Sequence, residues 1–118
     1  MSMNDTTTVV SDLKALVSRF VAERDWQPFH DPKNLSASIA IEAAELMEHF
    51  QWLRSDELSQ LKDDPQKMRE IEEELADITA YVVSFASTMG IDLSSALEKK
   101  MVKNAVKYPI EKCKGRAT

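Results

Sequence analysis

A chain of 118 residues has material for one hydrophobic core and not for two. Apolar residues make up 43% and charged residues 30%, which excludes a disordered or membrane-embedded chain, and two Gly with four Pro are too few turn residues for an all-β sandwich or barrel. One cysteine, Cys113, excludes an internal disulfide, two histidines leave too few soft ligands for a structural zinc site, and a net charge of −5 argues against general nucleic-acid binding.

The first ten residues lack a basic n-region and an apolar h-region, and nowhere do eighteen apolar residues run together, so neither export nor a membrane span is expected. With a lone thiol, the chain reads as reduced and cytoplasmic. Charge is unevenly spread. From Glu98 to Thr118 seven Lys/Arg face two Glu, giving +5 in the tail and −10 over residues 1–97. An acidic body and a basic tail can together surround a metal-bound small anion.

In chain order, Val9, Leu13, Leu16, Val17, Phe20 and Val21 recur at helical spacing and predict a first helix from about Val9 to Arg24. The stretch DWQPFHDPKN, Asp25 to Asn34, then holds two prolines and reads as a structured loop with two aromatics. A second helix is expected to begin near Asn34 or Ser36 and to run to about Leu53. After a short polar turn, Pro65 opens the longest helix, which Gly90 stops near Met89. Asp92 or Ser94 caps a fourth helix, which Pro109 ends. These lengths predict an all-α four-helix bundle in a single domain over residues 1–118, frayed at about 1–8 and 111–118.

Two of the helices carry charges where a core should be. LSASIAIEAAELM, Leu35 to Met47, contains only Glu42 and Glu45 as charged residues, and LADITAYVVSFASTMGI, Leu75 to Ile91, contains only Asp77, with Glu74 three residues before it. A spacing of three puts each pair on one helix face, roughly 5 to 6 Å apart at Cβ. On the long helix, Ile71, Leu75, Ile78, Val82 and Phe85 form an expected core stripe with Glu70, Glu74, Asp77 and Tyr81 in the column beside it. Solvated acidic faces are common and an isolated E-x-x-E is weak evidence. Two pairs embedded in apolar sequence are stronger, because burying an unpaired ion costs several kcal/mol unless a counter-charge is present. Four carboxylates without clustered histidine make a hard oxygen site for Mg²⁺, with Mn²⁺ as a substitute. A di-iron bundle fails on its own signature, since Leu46 stands three residues before His49 and His30 lies in the loop.

Other residues are compatible with a nucleotide at such a metal. With the second helix running to about Leu53, Trp52 lies nearly in line with Glu45, seven residues or roughly 10.5 Å further along the axis. Trp26 and Phe29 could close the other side of a base pocket, or simply plug the end of the bundle. Tyr81 stands one turn beyond Asp77, with core packing as its alternative. Lys100, Lys103, Asn104 and Lys107 line one side of the fourth helix, where they could reach phosphate or merely offset the helix dipole. The long helix is apolar almost all round beyond Ala76, so a face left uncovered within the bundle calls for an oligomer interface.

Several motifs carry a family resemblance: Arg24-Asp25-Trp26, Phe29-His30, Asn34-Leu35, EAAELMEHFQW from Glu42 to Trp52, EELAD from Glu73 to Asp77 with Tyr81, and K-x-x-x-N-x-x-K-Y-P from Lys100 to Pro109. In these residues the chain resembles the MazG-like all-α nucleotide pyrophosphohydrolases, most closely their dCTP pyrophosphatase branch, over nearly its whole length. The resemblance implies a nucleoside triphosphate substrate split to monophosphate and pyrophosphate, in the service of nucleotide-pool sanitation. It implies that Glu42, Glu45, Glu74 and Asp77 hold Mg²⁺, and that Trp26 and Trp52 bind the base. It further implies contacts from Tyr81 and Asn104, phosphate contacts from Lys100 or Lys107, and a homodimer or homotetramer. One position departs from the pattern: counting back from Trp26, Val17 stands where a histidine is expected in the vertebrate dCTP enzymes. Glu45 or Glu48 is the expected general base, because both fall in the Trp52 column. The competing class is a non-catalytic helical oligomerisation or interaction module with solvated acidic columns.

Overall fold

Each long helix begins where the sequence can satisfy its free amides. In the computed structural model, which describes residues 2–116, the elements are α1 (Val10–Glu23), α2 (Pro32–Glu48), α3 (Ser55–Leu58), α4 (Pro65–Met89), α5 (Leu93–Lys107) and α6 (Ile110–Cys113). Two 3₁₀ turns, Gln27–Phe29 and Leu61–Asp63, complete the chain, and no strand occurs among the described residues. The side chains of Asp31, Asp64 and Asp92 accept from the amides of Asn34 (2.8 Å), Lys67 (3.1 Å) and Ser95 (2.9 Å), capping α2, α4 and α5. At α1 the Asp12 carboxylate reaches back to the Val9 amide, 3.1 Å away.

The all-α class and the four long helices are as the sequence predicts, with two boundaries of α2 displaced. It starts at Pro32, before Asn34 and Ser36, because Asp31 takes the capping position and Pro32 sits in the first turn, where its missing N–H costs nothing. It ends at Glu48 and not at Leu53. The next amides turn to carbonyls three residues back, His49 to Leu46 (3.2 Å) and Phe50 to Met47 (3.0 Å), so the backbone tightens and leaves the helix. At the amino terminus the Asn4 side chain accepts from the amides of Thr6 and Thr7, at 2.9 and 3.0 Å, and holds a turn inside the segment expected to fray. At the other end α6 occupies part of the expected tail, and residues 117 and 118 lie outside the described residues.

The centre of the fold is α4, packed on α2 along one side and on α1 along another. Val21 of α1, Leu35 of α2, and Val83 and Ala86 of α4 are buried where the three meet. Leu75, expected in the core stripe, is 54% exposed, so the deepest line of α4 runs through Val83 and Ala86. Gly90, at φ 65°, reverses the chain after α4 through bonds from Gly90 N to Ser87 O and Ile91 N to Ala86 O. Lys14 Nζ donates to Ile91 O at 2.7 Å and ties this corner to α1.

From there α5 projects without comparable packing on α1, α2 or α4. Leu97, Met101, Val102 and Val106 along it are exposed, Val106 to 80%. The radius of gyration is 17.4 Å, against about 13.5 Å for a close-packed domain of this length. The excess belongs to a chain whose fourth long helix stands away from the other three.

Candidate metal centre and nucleotide pocket

Packing α2 against α4 brings the two acidic pairs together. One carboxylate oxygen from each of Glu42, Glu45 and Glu74 lies within 4.8 Å of the others. Two of the oxygens in the cluster, Oε2 of Glu42 and Oε2 of Glu74, are buried with no hydrogen-bond partner. Like charges at this spacing raise the cost of ionisation. The Glu42 carboxyl is pushed up from 4.5 to about 7, first by burial, then by its hydrogen bond to Glu45 and the charges of Glu45, Asp77 and Glu74. Glu74 is also raised, by burial and then Glu45, and is partly relieved by Glu42 and His49. Asp77 lies outside the tight trio, exposed one turn along α4, yet near enough to act electrostatically on Glu42.

An orphaned buried carboxylate oxygen is costly, and a divalent cation is the partner that satisfies several at once. No Lys or Arg forms an ion pair with any of the four carboxylates among the described residues. The donor set is all oxygen, so the residues fit a hard cation.

Next to the carboxylates lies an aromatic pocket built from the end of α1. Asp25, with φ 53°, takes the left-handed position that a Gly or Asn commonly fills after a helix. Bonds from Asp25 N to Ala22 O (3.1 Å) and from Trp26 N to Val21 O (3.0 Å) complete a Schellman turn, which folds the Trp26 ring back over α1. Phe20 meets that ring edge-on at 5.8 Å. His30 stacks on Trp26 at 6.4 Å and on Tyr81 at 6.5 Å, and its Nδ1 is 3.0 Å from the Trp26 carbonyl. A cavity of about 140 Å³ is walled by Val17, Phe20, Trp26, His30, Asp77 and Tyr81, so its floor carries a carboxylate from the acidic cluster. It adjoins a cleft of about 370 Å³ to which Ser18, Gln27 and Ser87 contribute. Val17, the position that departs from the dCTP pattern, thus faces the pocket and makes that wall apolar.

The expected site residues are therefore only partly convergent. Glu42, Glu45, Glu74, Asp77, Trp26 and Tyr81 share one face of the α1–α2–α4 core. Trp52 does not continue α2; it lies in the turn after it, 85% exposed, so the axial alignment with Glu45 is lost and with it the column that included Glu48. Glu48 is the exposed last residue of α2 and takes no part in the trio. Phe29 is exposed, and His30 takes the place in the stack that its neighbour was expected to fill. Lys100, Lys103, Asn104 and Lys107 sit on α5, which their own chain leaves apart from α2 and α4. From the sequence no site role fell to His30, which stood only within the Phe29-His30 motif, or to His49, weighed only for a di-iron bundle. His30 carried a weak signal, its four-residue spacing from Trp26 across a Pro-containing turn.

Comparison with known proteins agrees with this architecture. A model of the MazG-like family matches residues 37–118. The chain belongs to the MazG-like family. It is 37% identical over 108 residues to dCTP pyrophosphatase 1 of Bos taurus, covering 92% of this chain and 64% of that protein. The human dCTP pyrophosphatase 1 is 37% identical over 100 residues, covering 85% of this chain and 59% of that one. The chain thus spans about 60% of the length of the curated relatives it matches. A solved structure of a pyrophosphatase from Archaeoglobus fulgidus DSM 4304 superposes with a TM-score of 0.78 at 36% identity, covering 92% of this chain and 99% of that one.

Proposed function

We propose that this chain is a Mg²⁺-dependent nucleoside triphosphate pyrophosphohydrolase, which converts a (d)NTP and water to the nucleoside monophosphate and pyrophosphate. The observation that carries the reading is the carboxylate trio with two orphaned buried oxygens, set beside an aromatic pocket that shares Asp77 with it. The names of the curated relatives favour dCTP or a modified dCTP as the substrate, in nucleotide-pool sanitation.

Glu42, Glu45 and Glu74, with Asp77 at their edge, hold the cation, which would supply charge neutralisation at the phosphate oxygens. Trp26, His30 and Tyr81 stack around the base, and Val17 with Phe20 exclude water from its edge. Glu45 accepts the proton of the attacking water through a carboxylate oxygen while the bond between the α and β phosphates breaks. It is preferred to Glu48 because it belongs to the trio. Trp52, beyond the end of α2, is free to cover the base from outside.

The basic residues enter through assembly. The exposed apolar residues of α5 and the large radius of gyration favour a homodimer or homotetramer. In it, α5 of a second copy lays Lys100, Asn104 and Lys107 against the phosphates. No helix among the described residues is long and apolar enough to cross a membrane, and the free thiol of Cys113 suits the cytoplasm.

The test is product identification with Mg²⁺ and a panel of canonical and modified triphosphates. Monophosphate plus pyrophosphate is expected, abolished by Glu45→Gln and Asp77→Asn and much less affected by Glu48→Gln. Orthophosphate release would place the chemistry at a different phosphoanhydride. No turnover, with no effect of Mg²⁺ on melting, would favour the non-catalytic interaction module instead.

A further inference from the structure

Among the described residues the acidic cluster makes one ion-pair contact, and it is to a histidine. His49 Nε2 lies 4.0 Å from Glu74 Oε1, with the two side chains only 15% and 23% exposed. His49 follows the last turn of α2, four residues beyond Glu45 and seven beyond Glu42, so it continues the carboxylate face just where the backbone leaves the helix. Glu74 therefore has two differently placed oxygens. Oε1 faces the imidazole, while Oε2 is buried without a partner.

We infer that His49 is a positioning residue for the cation site, whose Nε2–H holds Oε1 of Glu74 so that Oε2 is presented to the metal. The inference rests on the metal reading given above. A contact of 4.0 Å is about 1 Å longer than a hydrogen bond, a gap that a small rotation of the Glu74 carboxylate closes. The neutral imidazole suffices, since it donates from one ring nitrogen. Ligating carboxylates are commonly held in this way, and losing the outer partner typically weakens metal binding by about 10- to 100-fold. His49 has no part in the proton transfer assigned to Glu45, and the stack between Trp26 and Tyr81 is made by His30.

The experiment is calorimetric titration of the full chain with Mg²⁺ alone, comparing wild type, His49→Leu and His49→Gln. The Gln amide can place an N–H near the position of Nε2, and Leu keeps bulk without a donor. His49→Leu is expected to bind Mg²⁺ at least about tenfold more weakly, and His49→Gln to recover most of the loss. Excess Mg²⁺ should restore His49→Leu turnover, which a damaged fold would not allow. Wild-type affinity in His49→Leu, or equal weakness in His49→Gln, overturns the positioning role. No Mg²⁺ binding by wild type itself would overturn the metal site and this inference together, a result distinct from either.

Discussion

Glu42→Gln discriminates sharply, because the acidic cluster gives it opposite signs with and without metal. The folded chain holds the Glu42 proton to about pH 7, whereas the ordinary carboxyl loses it near 4.5. The folded state therefore binds more protons between those values. Its contribution to stability is fully present below pH 4.5 and is lost as pH rises through 7. Near pH 8 the metal-free protein must keep Glu42 ionised beside Glu45, Glu74 and Asp77, and Gln relieves that repulsion at almost the same volume. In EDTA the variant should melt above wild type at pH 8, and the two should converge as pH falls towards 4.5. With Mg²⁺ the order reverses. At tenfold its dissociation constant the ion adds about 1.4 kcal/mol to wild type, which for a domain of this size is roughly 5 °C. The variant, lacking one ligand, should gain far less. Thermal melts near pH 5, 6.5 and 8, with EDTA and with Mg²⁺, test both halves. A variant melting at or below wild type in EDTA at pH 8, or an equal Mg²⁺ response in the two proteins, would refute the reasoning.

Three further outcomes follow from other parts of the fold. Trp26→Ala should raise KM for the triphosphate about tenfold or more, the scale of one lost base–aromatic stack, with a smaller effect on kcat; steady-state kinetics on the best substrate checks it. Asp25→Gly should stabilise the chain by about 1 kcal/mol in urea unfolding, because a non-glycine residue at φ 53° is relieved, whereas a β-branched Val there should destabilise it. Met101→Asp with Val106→Asp, both on the exposed side of α5, should shift the protein to monomer in sedimentation and reduce turnover, while metal-dependent melting persists.

The parts of this structure legible in the sequence are those punctuated locally. Asp64-Pro65, Gly90, Asp92 and Pro109 each fix a backbone state or fill a free hydrogen-bonding group, and the ends of α4 and α5 fall where these residues stand. The acidic pairs were legible for a related reason: a carboxylate inside an apolar run needs a partner, whatever the fold around it. The end of α2 has no such mark. MEHFQW contains neither Gly nor Pro and continues a helical pattern, so no local rule marks the unwinding at His49. That unwinding moves Trp52 off the Glu45 face and leaves His49 on it, beside Glu74. The Pro-containing turn likewise rotates Phe29 outward and His30 inward, between Trp26 and Tyr81.

Leu75 and the apolar side of α5 are a different case. The helical spacing of Leu75 predicts burial, yet it is exposed in one chain, as are Met101 and Val106 on α5. Apolar periodicity marks faces that gain from burial and is blind to what covers them. Single exposed apolar residues are ordinary on protein surfaces and would carry no weight. Here an apolar groove of about 450 Å³ between α1 and α4, lined by Leu13, Leu16, Val17 and Leu75, coexists with an unpacked basic helix carrying its own apolar face. Val17 and Ala80 line both that groove and the aromatic pocket, so the two surfaces lie back to back across α1 and α4. Covering the groove with a second copy, as the proposed function has it, would therefore stiffen a wall of the pocket as well as bury apolar area.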